Sequence, residues 1–526
     1  MKKLMTLALA AGMLFGAATG ASAIDFKAKG QWLFGFAAAN TSLTSKENNA
    51  RSDKEDDFSA VQRIRMQLDA VASESLSGTL YFEIGNQFWG DNTHGAGGGA
   101  LGADGSNAIK IKRAYLDWLV PNTDLKFRMG LQGVTLPNKA GGSAVMDTDV
   151  AGVTASYTFN ENVALTALWA RPFNDNYSQV NDPFTGNRVQ SKYNYDNFLD
   201  NMDLFALMLD LKFDGVQVTP WVMYGMAGRN SWDAVDGGLW NDGSPDKTLN
   251  VYPTMSPLDP TGLNRDSNFN RGSYVYGSMF WAGLPVAITL WDPLNIEFDI
   301  NYGYVESQGR YDAVKKYTAG WGRTVRGNTE RQGWLAKALV EYKMDWGVPG
   351  IFGWYASGDD GSIKNGSERM PSVAPMGNFT SFMGDGNLGW WLNDYNTSYA
   401  GTWGIGLQIR DMSFMEDLKH TFRVAYWGGT NSPSMVKYMD SAYAWNYGAG
   451  IEGPYLTTND GLLEFNLVNT YQIYENLQLN LELGYVVNMI DRDTWKHSGF
   501  NYAGGYGSQY SKQDMWKAQL VFAYSF

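Results

Sequence analysis

The segment Leu477-Gln-Leu-Asn-Leu-Glu-Leu-Gly-Tyr485 alternates apolar and polar residues along most of its length. A period of two sends successive side chains to opposite faces of an extended strand, so one face is apolar and the other wet. The pattern recurs throughout the chain. Phe26, Ala28, Trp32, Phe34 and Phe36 oppose Lys27, Lys29 and Gln31, while Ile64, Met66, Leu68 and Ala70 oppose Arg63, Arg65, Gln67 and Asp69. Leu80, Phe82, Ile84 and Phe88 oppose Tyr81, Glu83 and Gln87. At the far end Trp516, Ala518, Leu520, Phe522, Tyr524 and Phe526 share a face, against Lys517, Gln519, Ala523 and Ser525. An all-β fold follows. A last strand that stops on an aromatic residue is expected to lose its open edge by pairing with the first.

Connections alternate between short and long. Short turns are expected at residues 72–77, 121–124, 160–162, 214–215, 292–294, 344–347, 412–418 and 474–476. Asp214-Gly215 between two alternating runs is a two-residue hairpin signal. Long polar stretches rich in Gly, Asn and Asp separate these hairpins, notably 38–57, 174–201, 227–273, 307–332, 358–400, 429–461 and 489–514. Eight hairpins plus the first and last strands predict an antiparallel β-barrel of 18 strands. Sixteen is the alternative, because the segment Tyr274 to Trp291 contains Pro285 and is long for one strand. The same unit runs from end to end, so residues 24–526 are expected to form a single domain.

Composition gives this barrel a setting. Met1-Lys2-Lys3, the apolar run Leu4 to Phe15 and the small residues Ala21-Ser22-Ala23 have the form of a cleaved signal peptide over residues 1–23. Ile24, where a lipoprotein would carry Cys, excludes lipid attachment there. Net charge is −13, and loss of Lys2 and Lys3 takes it to −15. Mean hydropathy is −0.32, too polar for spanning helices. A chain this polar crosses a membrane as a barrel, because only one face of each strand meets lipid. Aromatics at strand ends, such as Phe88-Trp89, Trp118, Trp169, Trp334 and Tyr342, suit girdles at two membrane interfaces. Either strand count leaves room for an aqueous channel. The absence of Cys excludes disulfides and thiolate metal sites. Gly358-Asp-Asp-Gly361 has adjacent rather than spaced carboxylates, so a solvated loop tip is expected there instead of a calcium loop.

The leader, the first strand through Trp32-Leu-Phe-Gly-Phe36, the Arg63-Ile-Arg65 strand and terminal Phe526 together resemble bacterial outer-membrane homotrimeric porins. The general porins, with a sulfate-reducer branch among them, are the relevant group. The resemblance implies a cofactor-free homotrimer in the Gram-negative outer membrane, in contact with lipid and lipopolysaccharide. It implies short periplasmic turns, long extracellular loops, and passive diffusion of small hydrophilic solutes and ions, with no nucleic-acid partner. Phe526 would belong to barrel closure and assembly. A third loop, residues 134–148, would fold inward, with Pro137 ending its strand and Gly141-Gly142 making the bend. Arg63, Arg65, Arg113 and Arg128 would form a basic wall, and Asp147 and Asp149 the acidic side, of a constriction with a transverse field. Loop acids such as Glu55 could bridge to lipopolysaccharide through divalent cations.

Two alternatives carry different signatures. A sugar- or anion-selective channel would line its path with aromatics, for which Tyr81, Tyr115, Trp221 and Trp427 have the right parity. A barrel enzyme would need a histidine with partners at the rim. His420 faces outward beside a short turn, and His94 and His497 lie in long loops, so catalysis is not expected. An adhesive role for the loops is compatible with a channel.

Overall fold

A computed structural model of the chain describes residues 24–40, 43–46, 57–91, 98–101, 109–173, 180–181, 188–189, 201–227, 277–307, 310–317, 320–383, 399–438, 442, 454–495 and 510–526. The expected leader lies outside them. The main sheet is built from β1 (Asp25–Asn40), β2 (Asp57–Ser73), β3 (Leu76–Phe88), β4 (Ile109–Leu119), β5 (Leu125–Thr135) and β6 (Asp147–Asn160). It continues through β7 (Val163–Phe173), β8 (Met202–Phe213), β9 (Val216–Val218 with Trp221–Ala227), β10 (Gly277–Ile288), β11 (Leu294–Val305) and β12 (Arg331–Tyr342). It ends with β13 (Val348–Ala356), β14 (Thr402–Met415), β15 (Leu418–Gly429), β16 (Gly461–Tyr474), β17 (Leu477–Asn488) and β18 (Met515–Ser525). Nineteen segments form the sheet, and β9 accounts for two of them, which leaves 18 strands.

Each strand pairs antiparallel with the next, and β1 pairs with β18 from Gln31–Ser525 to Asn40–Trp516. The barrel is therefore closed and presents no sheet edge. Beyond β18, Gly30 and Phe526 exchange both backbone hydrogen bonds, at 2.9 and 3.1 Å, and the Phe526 ring lies over Gly30. All eight expected short turns join neighbouring strands at one end of the barrel. The long segment ahead of Asp292 resolves into one strand. Pro285 has no N–H to donate, and it lies beside the interruption of β9 at Thr219-Pro220, where Thr219 N–H donates to the Pro285 carbonyl at 3.1 Å. Prolines are tolerated where the ladder is already broken.

The outer face is apolar. Leu207, Ile300, Ile351, Leu407 and Leu481 are exposed along its middle. Trp118, Phe213, Tyr342 and Tyr474 ring the short-turn end, and Trp169, Phe205, Tyr224, Trp334, Tyr355 and Tyr485 ring the other. A belt of aliphatics between two aromatic girdles is the surface a bilayer solvates. Among the described residues, no helix is long and apolar enough to cross a membrane. The inner face carries charge and amide near the short-turn end. It becomes apolar toward the long loops, where Leu204, Trp221, Met279, Trp281, Leu335, Phe352, Trp354 and Trp427 are buried in one cluster. Side chains that face a lumen stay dry only when something covers them, and two loops do.

Candidate functional site

The first of these loops follows β5. Leu136 N–H donates to the Met146 carbonyl at 2.9 Å, and positive φ at Gly141 and Gly142 (59° and 79°) turns the tip. The tip is anchored on a distant wall. The Asp299 carboxylate of β11 accepts the N–H groups of Lys139 and Ala140, both at 3.1 Å. Lys337 of β12 reaches the Gly142 carbonyl at 2.5 Å and the Asp299 carboxylate at 3.2 Å. Trp221 N–H donates to the Pro137 carbonyl at 3.1 Å. Hydrogen bonds to a charged group contribute about 1.5–3 kcal/mol each, and breaking a buried ion pair costs ~3–5 kcal/mol. Loop 136–146 is thus tied across the lumen.

The second inward loop, between β13 and β14, was not foreseen. Ser143 and Met376 exchange backbone hydrogen bonds at 2.9 and 3.0 Å, and Asp147 N–H donates to the Ala374 carbonyl at 2.7 Å. A Cβ on Gly142 would lie 2.5 Å from Gly377 Cα, so glycine permits this approach of two backbones. Farther on, Phe382 and Met383 present their N–H groups to the Glu464 carboxylate of β16, at 2.8 and 3.2 Å. Ser381 N–H donates to the Asn466 side chain at 3.0 Å. Met370, Val373, Phe379, Phe382 and Met383 then cover the apolar inner wall. Their spacing in sequence follows no period. The available signal was Glu464, a carboxylate on the inward face of a strand, where Phe382 and Met383 supply its partners.

The expected basic wall stands on β2, β4 and β5, and Arg65, Arg113 and Arg128 are paired with nearby carboxylates. Arg65 meets Glu83 at 2.6 Å, with Arg63 beside it and 9% exposed. Arg128 grips Asp117 with two hydrogen bonds at 2.7 and 2.8 Å and lies 4.2 Å from the centre of the Tyr115 ring. Lys126 shares the same carboxylate at 3.2 Å. Arg113 reaches Asp149 at 2.6 Å by passing over β5 at Gly133, where a Cβ would sit 2.5 Å from its guanidinium carbon. Asp147 and Asp149 are the first and third residues of β6 rather than part of the loop. Asp147 accepts the Thr135 hydroxyl at 2.7 Å. Structure brings Arg113 to Asp149 directly and Arg128 to the space beneath the loop. Arg63 and Arg65 stand three or more strands away from that loop's own strands.

Other expectations are modified. Of the four aromatics expected along a selective path, Trp221 and Trp427 are 3% and 0% exposed beneath the loops, whereas Tyr81 and Tyr115 are half-buried beside Arg113 and Arg128. Asp359 is no solvated tip: it is 2% exposed and accepts the Tyr455 and Ser367 hydroxyls, each at 2.6 Å. Glu368, bonded to Asp360 N–H at 3.0 Å, is pushed up to about 7 by burial and by the carboxylates of Asp359 and Asp360. Among the described residues no three carboxylates or histidines converge as a metal would need. His420 lies on the outer face with its Nδ1 2.6 Å from Asn469 Oδ1, and His94 and His497 lie outside the described residues.

Between the loop tip and the short turns lies a cavity of about 540 Å³, lined by Arg128, Gln132, Lys139, Thr154, Ser156, Thr166, Asp210, Gln217 and Thr219 among others. It offers polar groups from five strands and one loop on a single water-accessible space.

No family model and no curated protein matches the chain. Among solved structures it is similar to a BenF-like porin from Pseudomonas fluorescens Pf-5, at 10% identity over 95% of this chain and 98% of that one, with a TM-score of 0.48. It is also similar to Pseudomonas aeruginosa OccK9 (OpdG), at 11% identity, 95% and 98% coverage and a TM-score of 0.48. For Acinetobacter baumannii OccAB3 the values are 9% identity, 95% and 99% coverage, and 0.47.

Proposed function

We propose that this chain is an outer-membrane porin, a water-filled channel through which small hydrophilic solutes and ions diffuse passively. The observation that supports it best is a closed barrel whose outer face is apolar between aromatic girdles, around a lumen of paired charges narrowed by two loops. Short turns then face the periplasm and long loops the exterior, and residues 1–23 are the cleaved leader. The working form is a homotrimer embedded in lipid and lipopolysaccharide. Arg63, Arg65, Arg113 and Arg128, with Asp147 and Asp149, are assigned to the charged wall near the narrowing, and Phe526 to closure of the barrel. Transport of this kind needs no catalysis or cofactor. Single-channel recording of the unheated protein in a planar bilayer tests the reading. Large ohmic steps that close in thirds are expected, and folded protein that passes no current overturns it.

A further inference from the structure

We propose that the cavity beneath loop 136–146 is a resting site for a polyhydroxylated solute such as a monosaccharide. The proposal rests on the channel reading and names the solute class that this part of the lumen favours. The cavity's volume of about 540 Å³ corresponds to about 18 waters at ~30 Å³ each, enough for one or two sugar rings.

Its charges argue against a cationic occupant. Arg128 and Lys126 share the one Asp117 carboxylate, at 2.7 and 3.2 Å. Asp210 is matched by Lys212 at 2.7 Å. An entering anion meets Asp210, and an entering cation meets Lys139 and Arg128. A cation would have to open ion pairs already formed, whereas the Lys139 ammonium, held by the Gln217 amide oxygen, is available to an oxygen of the solute.

The hydrogen-bonding inventory suits hydroxyl groups. Lys139 Nζ donates to the Gln217 amide oxygen at 2.5 Å, and the Gln217 amide donates to Asp210 at 3.0 Å. An ammonium has three donors, so two remain to face the cavity. Opposite, the Ser156 and Thr166 hydroxyls lie 3.0 Å apart, and only one of them donates in that contact. Donors and acceptors thus alternate around the space, beside the apolar side chains of Leu168 and Met208. A sugar presents the same combination: hydroxyls that both donate and accept, and a ring face of C–H groups. Loop 136–146 roofs the cavity, so a solute that passes the narrowing arrives here before release at the short-turn end.

Calorimetric titration of the detergent-folded barrel with glucose tests the site, whatever the conductance of the barrel. Saturable binding is expected, weakened about 10-fold in the double variant Ser156→Ala, Thr166→Val, since two hydrogen bonds to the solute are lost. A short polyethylene glycol, which lacks the hydroxyl array, should give no saturable heat. Absence of saturable heat with glucose, equal binding by the double variant, or saturable binding of inorganic phosphate in place of glucose each overturns the proposal. Loss of current in bilayers with glucose binding intact would instead overturn the channel reading.

Discussion

Asp359, Asp360 and Glu368 place three carboxylates in one loop, and the environment separates their roles. Asp359 is buried and saturated by hydroxyl and amide donors, whereas Glu368 is half-buried against two like charges. The raised value for Glu368, about 7, means that the folded loop holds a proton which the unfolded chain releases near 4.5. Folding is therefore favoured below 4.5, and that contribution is lost progressively as pH rises from 4.5 to 7. Hydrogen exchange across residues 357–368 should slow as pH falls through 7, after correction for the intrinsic exchange rate. Glu368→Gln should flatten the response; an unchanged profile would place the titration elsewhere. Tyr455, buried against Asp359, is held well above the usual phenol range and stays a donor throughout this window. None of this was legible in Gly358-Asp-Asp-Gly361, because burial of that tip depends on Tyr455, about a hundred positions away.

Strands and loops were unequally readable. Period-two alternation identified the hairpins, and parity put Arg65 and Gln67 on the polar face of their strand, because a pleated strand allows only two directions. It could not name their partners. Arg113 reaches Asp149 across an intervening strand only because Gly133 has no side chain, a relation invisible to spacing. An inward loop over 134–148 was expected from the resemblance, which Pro137 and the glycine pair suit, whereas the loop after β13 lacks any period that marks an inward path. Each loop is held by one wall carboxylate that accepts two consecutive N–H groups, Asp299 for one and Glu464 for the other. Asp299→Asn keeps the shape but removes the charge facing Lys337, and leaves a buried ammonium at a cost of ~3–5 kcal/mol. Open-channel current noise should rise, with barrel content by circular dichroism unchanged. Quiet current from this variant would show that the tip is held by other contacts.

At the scale of the molecule, the seam between β1 and β18 decides whether a sheet becomes a tube. The Phe526 ring covers Gly30 so closely that a Cβ would lie 2.6 Å from Cζ and 2.9 Å from the Arg65 carbonyl. Gly30→Val should lower the temperature at which the compact band on an unheated gel converts to the extended one. Gly78→Val, where the nearest atom is 4.0 Å away, should leave it unchanged. Equal behaviour of the two would mean that the seam tolerates a bulkier residue. The paired loops have a mechanical consequence. From β6 the chain of contacts runs through Met146, Ala374 and Phe382 to β16, on nearly the opposite side of the ring. A thin-walled cylinder flattens easily under lateral load, and a brace across its diameter resists that. Bilayer tension that squeezes the wall would therefore be carried partly by the loops, so the part of the lumen that they cross is also the part that keeps the cross-section round.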